Sequence, residues 1–410
     1  MVSDTLRRQA LALFEAGVNA ADPGTAVKRA LARTPEPEIS GRRLLVAVGK
    51  AAGAMARAAI DAGVTHDRAM VITNYENASG MVGAVTYAAG HPVPDLNGAR
   101  AGQAVLSALQ ALGPDDRVLA LISGGGSALL PAPANGISLD DKAEVSRLLL
   151  ASGADINQMN LIRQQLSNLK GGGFLRAAAP ARVRALILSD VVGDDLRAIA
   201  SGPTVGPIGT PKEARALLCG LGLWQAVAPS VRVHLETPRN AAPLPVAENE
   251  LIGSNAQSVA AMAAAEPTAN LVHDPLCGNV ADAAARVVAA GATRGVSLFG
   301  GETTVEVTGA GLGGRNQELA LRAAMGAEAA GWDGDWVFLS GGTDGRDGPT
   351  DAAGGIVDAA TLSRMRAAGV DPADVLARND SYHGLKAAGA LLMTGATGTN
   401  VADLQVLIRR

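Results

Sequence analysis

Six short runs in this chain are apolar on both alternations: Leu44–Val48, Ala69–Ile72, Val118–Ile122, Val183–Leu188, Val296–Phe299 and Trp336–Leu339. Between them lie stretches with helical spacing, such as Ala51–Ala62, Ala99–Leu112, Asp140–Leu150 and Asn316–Met325. A sheet with one wet face would alternate apolar and polar residues. Strands that are apolar on both faces need cover on both sides, so the pattern predicts parallel sheets held between helical layers.

At roughly 100–200 residues per domain, 410 residues predict more than one such sandwich. The best break is Thr237–Pro245 (TPRNAAPLP), rich in Pro and Asn and without periodicity. The expected architecture is two three-layer α/β/α domains with mostly parallel sheets, residues 1–240 and 241–410.

Composition removes several function classes. Aromatic residues are 2%, which is too few for a stacking platform on single-stranded nucleic acid. The formal charge of −4 and pI near 5.8 provide no global field for DNA or an anionic membrane. Cys219 and Cys277 form no CxxC pair, which fits two reduced thiols. Asp4, Arg7, Arg8 and Glu15 interrupt the N-terminus where a signal peptide would be continuously apolar. A soluble cytoplasmic protein with a small-molecule partner is expected, with no nucleic-acid or membrane partner, and a homodimer is carried as the assembly expectation.

Glycines gather where ligands bind in open α/β sheets, at strand C-terminal ends. Leu119–Ile122 runs into Ser123-Gly124-Gly125-Gly126-Ser127. Phe299 is followed by Gly300-Gly301-Glu302-Thr303-Thr304, and Leu339 by Ser340-Gly341-Gly342-Thr343-Asp344-Gly345. A fourth loop is Thr394-Gly395-Ala396-Thr397-Gly398-Thr399-Asn400. Close backbone approach and free N–H groups suit phosphate or carboxylate, although one such loop alone could be an ordinary turn.

Gly309-Ala310-Gly311-Leu312-Gly313-Gly314 matches the dinucleotide fingerprint in letters. It lacks the acidic residue expected about 20 residues on at the end of the next strand, where the nearest candidate, Asp344, comes about 30 residues after Gly314. A loop presenting Arg315 to an anion, with Gly313, Gly314 and Asn316 beside it, is the better reading. A phosphate-binding P-loop fails because Leu44 stands where its first glycine should be, and Leu129 removes the nucleophile elbow at Ser127. His91, within Gly90–Asp95, reads as a loop or pocket-wall residue rather than a base.

Among charged residues, Lys50 ends a strand and opens a helix. The helix dipole disfavours a cation there unless a negative ligand is near. Arg163 and Lys170 flank a turn before Gly171-Gly172-Gly173, which would serve a substrate carboxylate or a plain helix cap almost equally well. Asp190-Val191-Val192-Gly193-Asp194-Asp195 carries three carboxylates in six residues, more than a cap requires. Asp190 is the best candidate to accept a hydroxyl proton or bind Mg²⁺. Asp344, Asp347 and Asp351 add hard oxygen ligands, with Asp347 also readable as a solvated turn.

These segments, from Val46-Ala47-Val48-Gly49-Lys50-Ala51-Ala52 through Gly90–Asp95, Ser123–Leu130, Leu166–Gly172, Ser189–Thr204, Gly300–Glu318 and Ser340–Asp358 to Thr394–Asp403, resemble the glycerate 2-kinase family with a C-terminal MOFRL domain. Some of its members carry the label hydroxypyruvate reductase. Ala396 departs from the pattern, where proline is expected. The resemblance implies ATP-dependent phosphorylation of D-glycerate at the 2-hydroxyl, in a cleft between a Rossmann-like kinase domain and a MOFRL-type domain. It makes Lys50 the essential lysine, with Asp190 and Arg315 as partners. Substrate or nucleotide would be held by Ser123, Gly124, Gly125, Gly126, Ser127, Lys170, Gly301, Glu302, Thr303, Gly313, Gly314, Asn316, Gly342, Thr343 and Asp344. Mg²⁺ would enter with ATP at Asp190 and Asp344. The alternative is an NAD(P)H-dependent hydroxypyruvate reductase using Gly309–Gly314.

Overall fold

The computed structural model describes residues 2–238 and 243–410, so the center of the expected boundary segment lies outside the described residues. The chain forms two compact units. One comprises Pro23–Ser189 and Asp194–Ile252, the other Met1–Asp22, Asp190–Gly193 and Gly253–Arg410.

The first is a parallel-sheet unit. Its strands are β1 (Arg43–Val48), β2 (Arg68–Asn74), β3 (Val85–Ala89), β4 (Arg117–Ile122), β5 (Arg182–Leu188) and β6 (Glu248–Gly253), in the order β3-β2-β1-β4-β5-β6. The pairs β1·β2, β2·β3, β1·β4 and β4·β5 are parallel. Every residue of β1 is buried, as strands covered on both faces require. From β1 the chain builds outward through β2 to β3 and then returns to β4 on the other side of β1. The strand order therefore reverses between β1 and β4, and the crevice beyond their C-terminal ends is where open α/β sheets bind ligands. Beside the sheet, the helices Leu139–Ala151, Ile156–Gln165, Pro211–Gly220 and Pro229–Glu236 share a core that includes Val145, Leu149, Ile162, Leu218 and Val231.

The second unit has a mixed sheet. Its strands are β7 (Asn270–Leu271), β8 (Leu276–Asn279), β9 (Gly295–Thr304), β10 (Trp336–Gly342), β11 (Gly354–Asp358), β12 (Leu391–Leu392) and β13 (Asp403–Arg409), in the order β12-β11-β10-β13-β9-β7 with β8 also on β9. The expectation of mostly parallel strands does not hold in this sheet: β10·β11, β10·β13, β11·β12 and β13·β9 are antiparallel, and only β7·β9 and β8·β9 are parallel. A strand buried on both faces reads the same whichever way its neighbors run. Here the C-terminal strand β13 inserts between β9 and β10, and β10 returns to β11 without a crossover helix.

The three layers are present nonetheless. Helices Val280–Ala290 and Arg315–Ala329 pack on one face around Phe299, Phe338 and Leu407. Helices Val2–Ala20 and Asn255–Ala265 pack on the other around Leu298, Leu339 and Val406. Leu6, Ala10, Leu13 and Phe14 recur at helical spacing and are buried together. Burying Leu6, Leu13 and Phe14 contributes roughly 5–9 kcal/mol before the entropy of ordering the helix. A single cut at residue 240 would separate this helix from the sheet face it covers.

Among the described residues no helix is long and apolar enough to cross a membrane. Cys219 and Cys277 are free and exposed.

Candidate active site

At the reversal between β1 and β4, two loops are joined by backbone hydrogen bonds. Ser123 N–H donates to Val48 O at 2.9 Å, and Lys50 N–H to Gly124 O at 2.9 Å. The buried Ser123 hydroxyl accepts from Ala51 N–H at 3.2 Å. Gly49 has φ +124°, and a Cβ there would lie 2.1 Å from Ser123 Oγ. Only glycine lets the loops close this tightly. The Lys50 stem and the His91 ring both lie against Gly125. Burial, followed by the Lys50 charge, lowers the His91 pKa.

The Ser123–Ser127 loop rests on a chain of polar contacts. Ser127 Oγ is 2.7 Å from Ser201 Oγ, whose hydroxyl donates to Asn160 Oδ1 at 3.0 Å. Lys170 Nζ donates to Ser127 O at 2.7 Å. Ala200 and Ser201 are left-handed, at φ 49° and 60°. A Cβ on Gly126 would fall 2.8 Å from Ala200 Cβ, so the glycine makes room for this strained segment.

In the mixed-sheet unit, Arg315 opens the helix Arg315–Ala329. It bonds Asp403 in bidentate fashion, Nε to Oδ2 at 2.6 Å and Nη2 to Oδ1 at 3.0 Å. Its remaining Nη1 lies 3.0 Å from Glu302 Oε1. Burial opposes the guanidinium charge, but the Asp403 bond and the charges of Asp403 and Glu302 outweigh it and raise the pKa. Burial raises the Glu302 carboxyl; Arg315 opposes the rise, and Asp403, Asp190 and Asp344 add to it. Asp190, although flanked in sequence by the parallel-sheet unit, thus belongs to this acidic cluster.

The first turn of the Arg315 helix is already filled. Asp347, 3% exposed, accepts from Asn316 N–H at 3.1 Å and Gln317 N–H at 2.8 Å. Burial pushes its carboxyl up to about 6 against those two bonds. A Cβ at Gly314 would strike this carboxyl at 2.3 Å, one at Gly313 would meet Ser381 Oγ at 2.2 Å, and Gly309 and Gly311 lie against Arg378 O. The glycines of the pseudo-fingerprint make room for protein groups. A protein carboxylate stands where a dinucleotide would place its pyrophosphate.

Comparison with known proteins gives the chain a family. A family model described as a domain of unknown function, DUF4147, matches residues 9–236, and the MOFRL family model matches residues 295–403. A D-glycerate 2-kinase of Thermotoga maritima is 41% identical over 98% of this chain and 98% of its own length. The chain belongs to the glycerate 2-kinase family. A crystal structure of glycerate kinase from Thermotoga maritima superposes with a TM-score of 0.91 at 39% identity, covering 99% of this chain and 100% of that one. An Agrobacterium vitis relative, 41% identical over 99% of this chain and 95% of its own length, carries a provisional hydroxypyruvate reductase name.

Within this family member the residues singled out from sequence fall into two sets. Lys50, Ser123, Gly124, Gly125, Gly126, Ser127 and Lys170 lie in the parallel-sheet unit. Asp190, Gly301, Glu302, Thr303, Gly313, Gly314, Arg315, Asn316, Gly342, Thr343 and Asp344 lie in the mixed-sheet unit. Asn316 is buried, accepting from Ser340 Oγ at 2.6 Å and leaning on Asp347. Thr343 is fully buried and holds the last loop through Ala402 O and Val401 N–H. Asp344 accepts from Arg346 N–H at 2.9 Å.

Asp347 is a buried helix cap rather than a solvated turn. Arg315 is paired with Asp403 and Glu302, and its side chain is 35% exposed. Asp403, its principal partner, was not among the expected site residues; an acid beginning a buried strand 88 positions away gives no local signal. Among the described residues no group of three or more His, Cys, Asp or Glu side chains could hold a metal ion by itself.

Proposed function

We propose that this chain transfers the γ-phosphoryl group of ATP to the 2-hydroxyl of D-glycerate, giving 2-phosphoglycerate and ADP. The observation that carries this reading is the placement of Lys50 and the Ser123–Ser127 loop at the strand-order reversal, in a chain that matches a D-glycerate 2-kinase from end to end. Phosphoryl transfer depends mainly on positioning and charge neutralization, so it needs cations and backbone N–H groups more than covalent chemistry.

In this reading Lys50 stabilizes charge on the transferring phosphoryl group, and so does Arg315. Asp190 orients or deprotonates the acceptor hydroxyl. Mg²⁺ arrives as part of the nucleotide substrate and needs only one or two protein carboxylates when phosphates supply the other ligands. Asp190 and Asp344 suit that role, since both are hard oxygen donors and both bear on Glu302. Asp403, Glu302 and Asp347 act on the Arg315 guanidinium while Asp190 and Asp344 act on Glu302, an acidic surplus that favors a cation-bearing ligand over a bare anion. The nicotinamide alternative is disfavored because Asp347 occupies the helix start that a dinucleotide would use. A cytoplasmic setting fits two free, exposed thiols.

The test is purified protein with MgATP and D-glycerate, assayed for ADP and by phosphorus NMR. A 2-phosphoglycerate resonance is expected. ADP formation with a 3-phosphoglycerate signal would overturn the regiochemistry, and no acceptor-dependent ADP would overturn the kinase reading.

A further inference from the structure

Three cations come from successive elements of one helical cluster, and the last of them reaches the Ser123–Ser127 loop. Lys142 lies on Leu139–Ala151, Arg163 on Ile156–Gln165, and Lys170 just beyond. Val145, Leu149, Ile162 and Leu166 of the same stretch share a core, which fixes the backbones that carry them. Lys142 is half-buried as a residue, yet its Nζ is shut off from solvent and has no hydrogen-bond partner. Lys170 is 7% exposed and spends one donor on Ser127 O. Arg163 makes no hydrogen bond or ion pair among the described residues.

Among the described residues no carboxylate pairs with them. Asp141 is occupied by Ser138 and Ser230, Glu144 is paired with Arg147, and Asp155 caps its own helix. Burial first, and then the neighboring cations, lower both lysines: Lys142 to about 8 under the influence of Arg163, and Lys170 well below the ordinary range under Lys142 and Arg163. Burial alone lowers Arg163. Buried like charges with no counter-charge are unfavorable. A ligand bringing negative charge would relieve that cost. Lys170 also helps line a groove of about 640 Å³ whose wall includes Asn135, Gln164, Ser167 and Asn168. That gives Lys170 a path from solvent.

We propose that Lys142, Arg163 and Lys170 form a receptor for an oxyanion carried by a substrate, either the carboxylate of a small hydroxy acid or a phosphate of the nucleotide. The cluster itself is independent of the kinase reading, which supplies only the two candidate ligands.

The test is titration calorimetry of the intact protein with D-glycerate, ATP and inorganic phosphate separately, repeated on Lys142→Met and Arg163→Met. Each variant should bind the true ligand on the order of 30-fold or more weakly, as expected when one partner of a buried charged contact is lost. Near pH 8.5 an oxyanion should draw a proton onto Lys142, making the wild-type binding enthalpy depend on the buffer, and Lys142→Met should lose that dependence. Because Lys142 is unpartnered in the free protein, the same variant should match or exceed the wild-type thermal midpoint; a merely structural lysine would give the opposite sign.

Weaker D-glycerate binding with unchanged ATP binding identifies the carboxylate as ligand, and the reverse identifies a phosphate. Protein that neither binds nor phosphorylates D-glycerate, yet binds ATP or phosphate through these residues, refutes the kinase reading and leaves the receptor standing. Unchanged affinity for all three ligands in both variants overturns the receptor.

Discussion

Replacing Lys50 with alanine tests the center of the parallel-sheet unit, because fold and chemistry separate cleanly there. The contacts that hold the loop use Lys50's backbone: its N–H donates to Gly124 O at 2.9 Å, and its carbonyl accepts from Thr73 and Asn77. Alanine keeps all three, so the stability change should stay within about 1 kcal/mol. The ammonium is lost. If it stabilizes phosphoryl charge, removing one such group should cost on the order of 10²–10³ in kcat, roughly 3–4 kcal/mol. His91 provides a second readout. Burial is the main cause of its lowered pKa and the Lys50 charge the next, so K50A should move the His91 titration upward. The assays are steady-state ADP release at saturating substrates, thermal unfolding, and NMR titration of His91 assigned by His91→Gln. A kcat within tenfold of wild type, with the fold intact, would refute the catalytic role. An unmoved His91 titration would refute the placement of the ammonium.

Other predictions follow from the mixed-sheet unit. Burial raises Asp347 from an ordinary 3.8 to about 6, so its contribution to stability is fully present below pH 3.8 and is lost as pH rises through 6. Urea unfolding of wild type against Asp347→Asn should show that loss, roughly 3 kcal/mol, in wild type only; parallel pH profiles would contradict it. Gly345 has φ +83°, and a Cβ there would lie 1.8 Å from Gly395 O, so Gly345→Ala should lower stability by about 3 kcal/mol or more. A neutral result by thermal unfolding would show that the loop can open at little cost. NADH should give no fluorescence enhancement and no hydroxypyruvate-dependent oxidation, since Asp347 fills the helix start; saturable NADH binding abolished by Gly313→Val would reverse that conclusion.

The central strands were legible because burial on both faces writes itself into the sequence as uninterrupted apolar runs: Leu44–Val48 and Val118–Ile122 became β1 and β4. Lys50 and Ser123 followed, since their place at strand ends is a property of local order. The strand Gly354–Asp358 begins with two glycines and reads as loop, although all five residues are buried. Strand direction was not legible, because an apolar strand carries no mark of its neighbors' polarity. Long-range electrostatics were equally hidden. Nothing near Arg315 announces Asp403, and nothing near Lys142 announces Arg163 and Lys170, because their proximity exists only after the helices pack.

The glycine loops show why composition alone misleads about cofactors. Gly49 and Gly126 make room for Ser123 and Ala200, which brings a backbone-lined loop to the strand ends and leaves Lys50 beside it. Gly309, Gly311, Gly313 and Gly314 make room too, but for Arg378, Ser381 and Asp347. The same residue type, at similar density, closes a loop beside Lys50 in one unit and seats protein side chains and carbonyls in the other. What distinguishes the two is the occupant of the space. Where a protein carboxylate already accepts the first N–H groups of the following helix, as Asp347 does at 2.8 Å from Gln317, a phosphate would have to displace a buried charge with its own partners. A fingerprint therefore becomes evidence of a nucleotide only when those N–H groups lack a partner within the protein, and by that criterion Gly309–Gly314 is a packing motif.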